Sequence, residues 1–476
     1  MSISFGTDGW RAVISETFTF HNLRLLSQAI ADMILDEPNG DEPHVVVGFD
    51  TRFLSDRYAA EVARVMAGNG IKALLCRSDV PTPTLSFAVK HTGAAAGVMI
   101  TASHNAPRYN GVKLKGAFGG AALPDASRRV EVHLRDNEQR ARGPNLIDLE
   151  AALKNGLIER FNPIPDYYEH LRELLNLEAI SQSNLRVIHD PMYGSGRNVL
   201  KSLLGGMGCE VHEIRGEMNP GFGGIHPEPV GRYLAALTAA LQAGQGNIGV
   251  ATDGDADRIG AMDEKGRFVD PHQIFALVLR YLVEERGQSG DVVRTVSTTR
   301  MIDRLCQRYG LTLHETPVGF NHIADLMLQG DVLIGGEESG GIGVKGHIPE
   351  GDGIFMALLL LEIIATSNRT LSELVDDLQV DVGPTFYQRS DLRLRRPVNK
   401  KEMVKRIQDN APTEIAGLGV AEVSVVDGVK FIMEDDSWLL IRPSGTEPVL
   451  RVYAEARSEG SKHGLLAYGE QVAQSA

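Results

Sequence analysis

The sequence predicts an α/β protein: three related α/β domains with mixed, mostly parallel sheets, followed by a smaller C-terminal α+β domain. Three observations carry this reading. One unit recurs along the chain: an apolar run closed by a polar turn, a helical stretch, a glycine, and a second apolar run. At 476 residues the chain exceeds what one hydrophobic core supports, so several domains are expected. The recurrence then stops after Pro384.

The first copy comprises Val45 to Asp50, a helical stretch from Tyr58 to Ala67, Gly70, and Ile71 to Cys76. The second is Leu185 to Asp190, Asn198 to Leu204, Gly208, and Cys209 to Ile214. The third is Val292 to Ser297, Met301 to Arg308, Gly310, and Leu311 to His314. Short apolar runs separated by helices are the pattern of βαβ units whose parallel strands are buried on both faces. One large doubly wound sheet is the competing architecture. Gly, Pro and charge cluster at Gly143-Pro144-Asn145, at Asp263-Glu264-Lys265-Gly266 and at Asp381-Val382-Gly383-Pro384. Domains over 1–143, 144–262, 263–380 and 381–476 follow. The apolar run Ile354 to Ala365 is interrupted by Glu362 and too short to span a bilayer, which predicts a buried helix. Beyond Pro384, Phe431 to Met433, Trp438 to Ile441 and Val449 to Tyr453 alternate with short connections, as in an α+β domain.

A net charge of -14 argues against nucleic acid or an anionic membrane as partner, because phosphate backbones are bound through Lys and Arg. Cys76, Cys209 and Cys306 are isolated, so neither a disulfide framework nor a Cys-ligated zinc is indicated. The first residues lack a basic stretch followed by an apolar one, so no signal peptide is read and a cytoplasmic location is expected.

The chemistry lies in loops. Thr101-Ala102-Ser103-His104-Asn105 follows the strand-like run Ala96 to Ile100, which puts Ser103 just past the carboxyl end of a sheet, where open α/β folds place their sites. Asn110-Gly111-Val112-Lys113 adds a lysine able to balance phosphate charge or exchange a proton. Asp253-Gly254-Asp255-Ala256-Asp257-Arg258 follows the strand Ile248 to Ala251 and offers three carboxylates at alternate positions, the hard-oxygen set that Mg2+ prefers. With Glu264 these aspartates match an EF-hand loop at positions 1, 3, 5 and 12, but Arg258 stands where that loop needs glycine. A hydroxyl nucleophile with a divalent-cation site points to phosphoryl transfer. In Gly335-Gly336-Glu337-Glu338-Ser339-Gly340-Gly341, Glu337 and Ser339 form a pair suited to vicinal hydroxyls. A dinucleotide reading of Gly341, Gly343 and Gly346 fails because Pro349 and Gly351 stand where the phosphate-binding helix would begin. Arg442-Pro443-Ser444-Gly445-Thr446-Glu447 combines a guanidinium, two hydroxyls and a glycine amide, the equipment to grip a phosphate that is not cleaved.

These motifs, with Phe5-Gly6-Thr7-Asp8-Gly9-Trp10-Arg11, resemble in order those of the α-D-phosphohexomutase superfamily, nearest its phosphoglucomutase/phosphomannomutase branch. The resemblance spans residues 5 to 448 and implies four domains around a central cleft. It implies Ser103 as the phosphoserine and, with Asp253, Asp255 and Asp257, as a ligand of Mg2+. Arg11, Lys113 and Arg258 match positions beside the phosphoserine, and His104 would orient its loop. Glu337 and Ser339 match readers of the sugar 3- and 4-hydroxyls; Arg442, Ser444, Gly445 and Thr446 match the loop for the non-reacting phosphate. His347 lies in a stretch, His347 to Gly353, that resembles one in phosphoglucomutases. The chain departs at Asn321, where many relatives carry Lys; His322 or a nearby Arg is the candidate to contact substrate phosphate in its place. The implied reaction interconverts hexose 1-phosphate and hexose 6-phosphate, glucose first and mannose second, through a hexose 1,6-bisphosphate that also serves as activator. Phosphoglucosamine mutase and hexose-1,6-bisphosphate synthase are the alternatives within this chemistry, and a non-enzymatic sugar-phosphate sensor the alternative outside it. Small sugar phosphates are the expected partners, in a monomer or weak homodimer.

Overall fold

A computed structural model describes residues 3–6, 9–36, 43–393, 399–443 and 449–474. The chain forms two compact bodies, Met1–Ile274 with Gly319–Ser372, and Phe275–Val318 with Glu373–Ala476.

In the first body, a seven-stranded mixed sheet places Trp10–Val13, Tyr109–Gly116, Ala96–Ile100, His44–Phe49, Lys72–Cys76 and Ile158–Phe161 side by side, with Gly120–Ala121 paired to Tyr109–Gly116. The strand His44–Phe49 shows why the sheet is covered twice. Successive side chains point to opposite faces. Val45 and Val47 join one core with helices Phe20–Leu35 and Ser55–Gly68, whereas Val46 joins a second with Leu85 and Val89 of helix Thr82–Thr92. Each fully buried valine contributes about 1.5–3 kcal/mol of transfer free energy. Ile158–Phe161 pairs in parallel with Lys72–Cys76. The boundary expected at residue 143 assigns this strand to the second domain, but the hydrogen bonding places it in the first sheet. The Gly143-Pro144 break interrupts the chain without ending the sheet.

A five-stranded sheet follows, in the order Phe268–Val269, Ile259–Met262, Ile248–Thr252, Arg186–Asp190 and Glu210–Glu213. The two sheets are separate, so a single large doubly wound sheet is not formed. The hairpin Val332–Gly336 and Ile342–Val344 carries the loop Glu337 to Gly341. Helix Gly353–Ser367 is buried along its apolar length, and Asp352 caps it by accepting from the amides of Ile354 (3.0 Å) and Phe355 (2.9 Å). The interrupting Glu362 is buried, and its Oε2 accepts from the amide of Asn176 at 2.8 Å. No single helix among the described residues is long and apolar enough to cross a membrane.

The second body contains the third repeat's parallel pair Asp291–Thr295 and Leu313–Thr316, joined by helix Met301–Tyr309, which Gly310 ends at φ 65°. Its C-terminal sheet has six strands, Phe386–Arg393, Val449–Ala456, Trp438–Pro443, Val429–Met433, Leu418–Ser424 and Glu414–Ile415 in spatial order, with every adjacent pair antiparallel. Helix Glu459–Gln474 packs on this sheet.

Candidate active site

Both central loops leave the carboxyl ends of strands: Thr101–Asn105 after Ala96–Ile100, and Asp253–Arg258 after Ile248–Thr252. The fold brings them together across 150 residues of sequence. Ser103 is fully buried at φ 50°, and its Oγ donates to Asp253 Oδ2 at 2.9 Å. His104 Nδ1 lies 3.3 Å from the same hydroxyl, and the Ser103 amide donates to Thr101 Oγ1 at 2.9 Å.

Strand Tyr109–Gly116 lies between Trp10–Val13 and Ala96–Ile100, with Lys113 opposite Met99. This register delivers Lys113 Nζ to Asp255 Oδ2 (2.7 Å) and Asp257 Oδ2 (2.6 Å). Arg11, on the adjoining strand, donates to Asn105 Oδ1 at 2.9 Å. Thr82 holds Asp255 from another side: its hydroxyl donates to Oδ2 at 2.6 Å and its amide to the Asp255 carbonyl at 2.8 Å. The Arg258 amide donates to Asp253 Oδ1 at 3.3 Å.

One ligand atom from each of Asp253, Asp255 and Asp257 falls within 4.8 Å of the others. Burial, then the neighbouring Asp257 and Asp255, push Asp253 well above the usual carboxylate range. For Asp255 burial also acts upward, yet the Lys113 charge and the hydrogen bonds from Lys113 and Thr82 hold it below that range. Asp255 Oδ1 is buried without a hydrogen-bond partner among the described residues. Asp257 Oδ1 is likewise unbonded, with Arg258 Nε standing 3.8 Å away. Orphaned carboxylate oxygens converging beside a serine hydroxyl fit a hard divalent cation.

The sugar-loop candidates lie in the same body. The Ile259 amide donates to the Gly340 carbonyl at 3.2 Å, which fastens the Glu337 to Gly341 turn to the aspartate loop. Glu337 and Ser339 are half-buried, and Glu337 Oε1 accepts from the Gly319 amide at 2.8 Å. Burial opposes the Arg258 charge, but Asp257 and Asp253, then Glu228 and Glu337, raise its pKa overall. His322 sits half-buried in the first turn of helix Phe320–Gln329, and the preceding Asn321 is buried with Nδ2 unbonded among the described residues.

His347 is placed elsewhere. Its Nε2 is 2.8 Å from Asp352 Oδ2 and its Nδ1 2.8 Å from His170 Nε2, inside a buried chain that continues from Asp352 to the Tyr167 hydroxyl at 2.6 Å. Both ring nitrogens thus have partners within this chain, one of them the residue that caps helix Gly353–Ser367. Arg442 belongs to the second body, on strand Trp438–Pro443, where its Nε donates to Asp427 Oδ2 at 2.6 Å. Ser444, Gly445 and Thr446 lie outside the described residues.

Sequence reasoning passed over Thr82, Asp50 and Arg52. The last two form a polar turn directly after strand His44–Phe49, at the same end of the sheet as Ser103; that placement was the available signal. Thr82 carried none, because only folding brings it to Asp255.

Loops from two sheets of one body thus define a site for phosphoryl chemistry on an α/β scaffold. Sequence profiles of the phosphoglucomutase/phosphomannomutase family match along the chain: α/β/α domain I over 2–141, domain II over 165–266, domain III over 270–380 and the C-terminal domain over 394–467. The chain is 31% identical to a phosphoglucomutase/phosphomannomutase of Thermococcus kodakarensis, covering 98% of this chain and 97% of the relative. It is 30% identical to a provisionally named phosphoglucosamine mutase of Methanothermobacter thermautotrophicus, over 96% and 94%. A crystal structure from Thermus thermophilus, provisionally described as a phosphomannomutase, aligns with TM-score 0.85 and 36% identity over 100% of this chain and 99% of that one. The chain belongs to the phosphoglucomutase/phosphomannomutase family.

Proposed function

We propose that the chain is a phosphohexomutase that interconverts hexose 1-phosphate and hexose 6-phosphate through phosphorylated Ser103. The observation that carries this is the Ser103 hydroxyl donating to Asp253 within a buried three-carboxylate cluster that Lys113 also enters. In the forward direction phosphoserine 103 passes its phosphoryl group to the sugar's free hydroxyl. The hexose 1,6-bisphosphate turns over in the site, and Ser103 Oγ accepts the other phosphate, which restores the phosphoenzyme and leaves net isomerisation.

Asp253, Asp255, Asp257 and the Ser103 oxygen would hold Mg2+, which supplies charge neutralisation for the group in flight. Lys113 is the proton exchanger, placed by its strand among the acidic groups. Arg11 and His104 brace the serine loop, and Arg258 adds positive charge beside Asp257. Glu337 and Ser339 read the sugar's 3- and 4-hydroxyls from the turn fastened to Ile259. Arg442, with Ser444, Gly445 and Thr446, grips the phosphate that does not react, and His322 stands in for the lysine that many relatives carry at position 321.

Glucose and mannose share their 3- and 4-hydroxyls, so both are substrates to test. The family also contains phosphoglucosamine mutases, but Glu337-Glu338-Ser339-Gly340-Gly341 departs from the Gln and His usual in that branch. Purified protein is supplied with glucose, mannose or glucosamine 1-phosphate, Mg2+ and catalytic glucose 1,6-bisphosphate, and phosphorus NMR follows the products. Conversion of glucose or mannose 1-phosphate to the 6-phosphate is expected. No conversion of any of the three overturns the proposal, and exclusive use of glucosamine 1-phosphate moves the chain to the alternative branch.

A further inference from the structure

We infer that Arg52 is the positioning residue that holds the Ser103 loop in its working shape, and that the guanidinium fork, beyond its charge, is what turnover requires. The inference rests on Ser103 as the nucleophile. Arg52 follows strand His44–Phe49, and its side chain is fully buried. One terminal nitrogen donates to the carbonyls of Ser103 (2.6 Å) and Asn105 (2.7 Å), and the other to those of Ala106 (3.0 Å) and Tyr109 (3.0 Å). One side chain therefore satisfies four carbonyls in the segment that begins at the nucleophile.

The remaining nitrogen, Nε, makes no hydrogen bond among the described residues but faces a carboxylate that braces the same loop. It lies 3.2 Å from Asp50 Oδ2, which accepts from the Thr101 hydroxyl at 2.7 Å; that hydroxyl in turn accepts from the Ser103 amide. The Phe222 ring closes over the guanidinium with its centroid 4.9 Å from Cζ. Ser103 itself sits at φ 50°, a backbone region that a non-glycine residue holds only when its surroundings impose it. Four bonds from a rigid planar donor impose it. An ammonium group on a flexible stem carries the same charge but only three donors and no fixed plane. Displacing a reacting group by about 1 Å costs about 100-fold in rate.

The test compares full-length Arg52→Lys and Arg52→Gln with Ser103→Ala, measuring thermal unfolding, Mg2+ affinity, and kcat and KM for whichever hexose 1-phosphate the wild type converts. Arg52→Lys should fold, keep KM and Mg2+ affinity within about threefold, and lose about 100-fold in kcat; Arg52→Gln should lose at least as much. A purely structural role would lower activity only in proportion to the folded fraction. Such a proportional loss overturns the inference, as does Arg52→Lys with wild-type kcat. Wild-type turnover in Ser103→Ala overturns the phosphoserine reading instead, whereas an inactive Ser103→Ala beside a fully active Arg52→Lys removes only the role of Arg52. Where neither Arg52 variant folds, NMR of the wild type with nitrogen-labelled arginine decides. Four separate, slowly exchanging Nη protons support the fork, and one averaged, fast-exchanging signal overturns it.

Discussion

Asp255→Asn isolates charge from shape in the aspartate cluster. The substituted side chain keeps an oxygen that can accept from Thr82 and Lys113, as Asp255 Oδ2 does at 2.6 and 2.7 Å. Its amide nitrogen then occupies the position of Oδ1, the buried oxygen without a partner, and presents two donors where a cation needs an acceptor. Without metal the substitution nearly balances. It relieves repulsion from Asp253 and Asp257 while weakening the buried Lys113 ion pair, two effects of opposite sign, and Lys113 keeps its contact with Asp257, so the protein should remain folded, as thermal unfolding checks. With metal there is no such offset. Changing groups that merely orient a ligand costs about 10–100-fold in affinity, so losing a ligand's own charge should cost at least about 100-fold, or about 2.7 kcal/mol. Titration calorimetry of chelator-treated protein with Mg2+ measures this directly, and turnover at saturating substrate should fall by at least as much. Wild-type Mg2+ affinity in a folded Asp255→Asn protein would refute the assignment of this cluster to the metal.

Four further outcomes are expected. Intact-mass analysis of wild-type protein treated with glucose 1,6-bisphosphate should show one phosphoryl adduct, absent from Ser103→Ala together with nearly all turnover. On the proposed function, Arg442→Ala removes a grip on the non-reacting phosphate, so KM should rise at least about tenfold and free bisphosphate should accumulate during turnover, both read by steady-state kinetics with product analysis. At Gly353 an added Cβ would lie 2.2 Å from the Arg258 carbonyl oxygen and 2.7 Å from its carbon. Gly353→Ala should therefore cost about 1–3 kcal/mol in a denaturant melt and depress activity by moving the backbone that carries Asp257 and Arg258. Lys430, buried with Nζ 2.7 Å from the Val296 carbonyl, is pushed down to about 8 by burial and by nearby Arg294. The folded state then binds fewer protons than the unfolded state between about pH 8 and the ordinary lysine value of 10.5, so this group makes stability rise with pH across that window. Lys430→Met should flatten the rise by up to about 3 kcal/mol, seen by comparing denaturant midpoints at both ends of the window.

The legible parts of the fold were those written in local pattern. The run Val45 to Val47 reads as a strand covered on both faces because alternate residues are apolar on each side, and the structure distributes them between two cores. Helix Gly353–Ser367 was visible as an apolar run, although the purpose of Glu362 was not: its partner amide, Asn176, lies 186 residues away. The strand Ile158–Phe161 shows the limit from the other side. Gly143-Pro144 reads as a domain break, but whether a strand beyond it returns to Lys72–Cys76 is settled by pairing, which leaves no mark in either segment alone.

At the site the division has the same cause. Residue order alone was enough to say which chemistry was available, because the serine loop, the spaced aspartates and the lysine are contiguous motifs whose residue types state their chemistry. How these groups are held was decided by folding. It turned Arg52 and Asp50 from a polar turn into the frame of the Ser103 loop, and it made Thr82 a partner of Asp255. It also withdrew His347 into a buried chain through Asp352. Each outcome depends on a partner from 5 to 177 residues away. A hydrogen bond is satisfied by position in space, and sequence separation carries no information about it once the chain has folded.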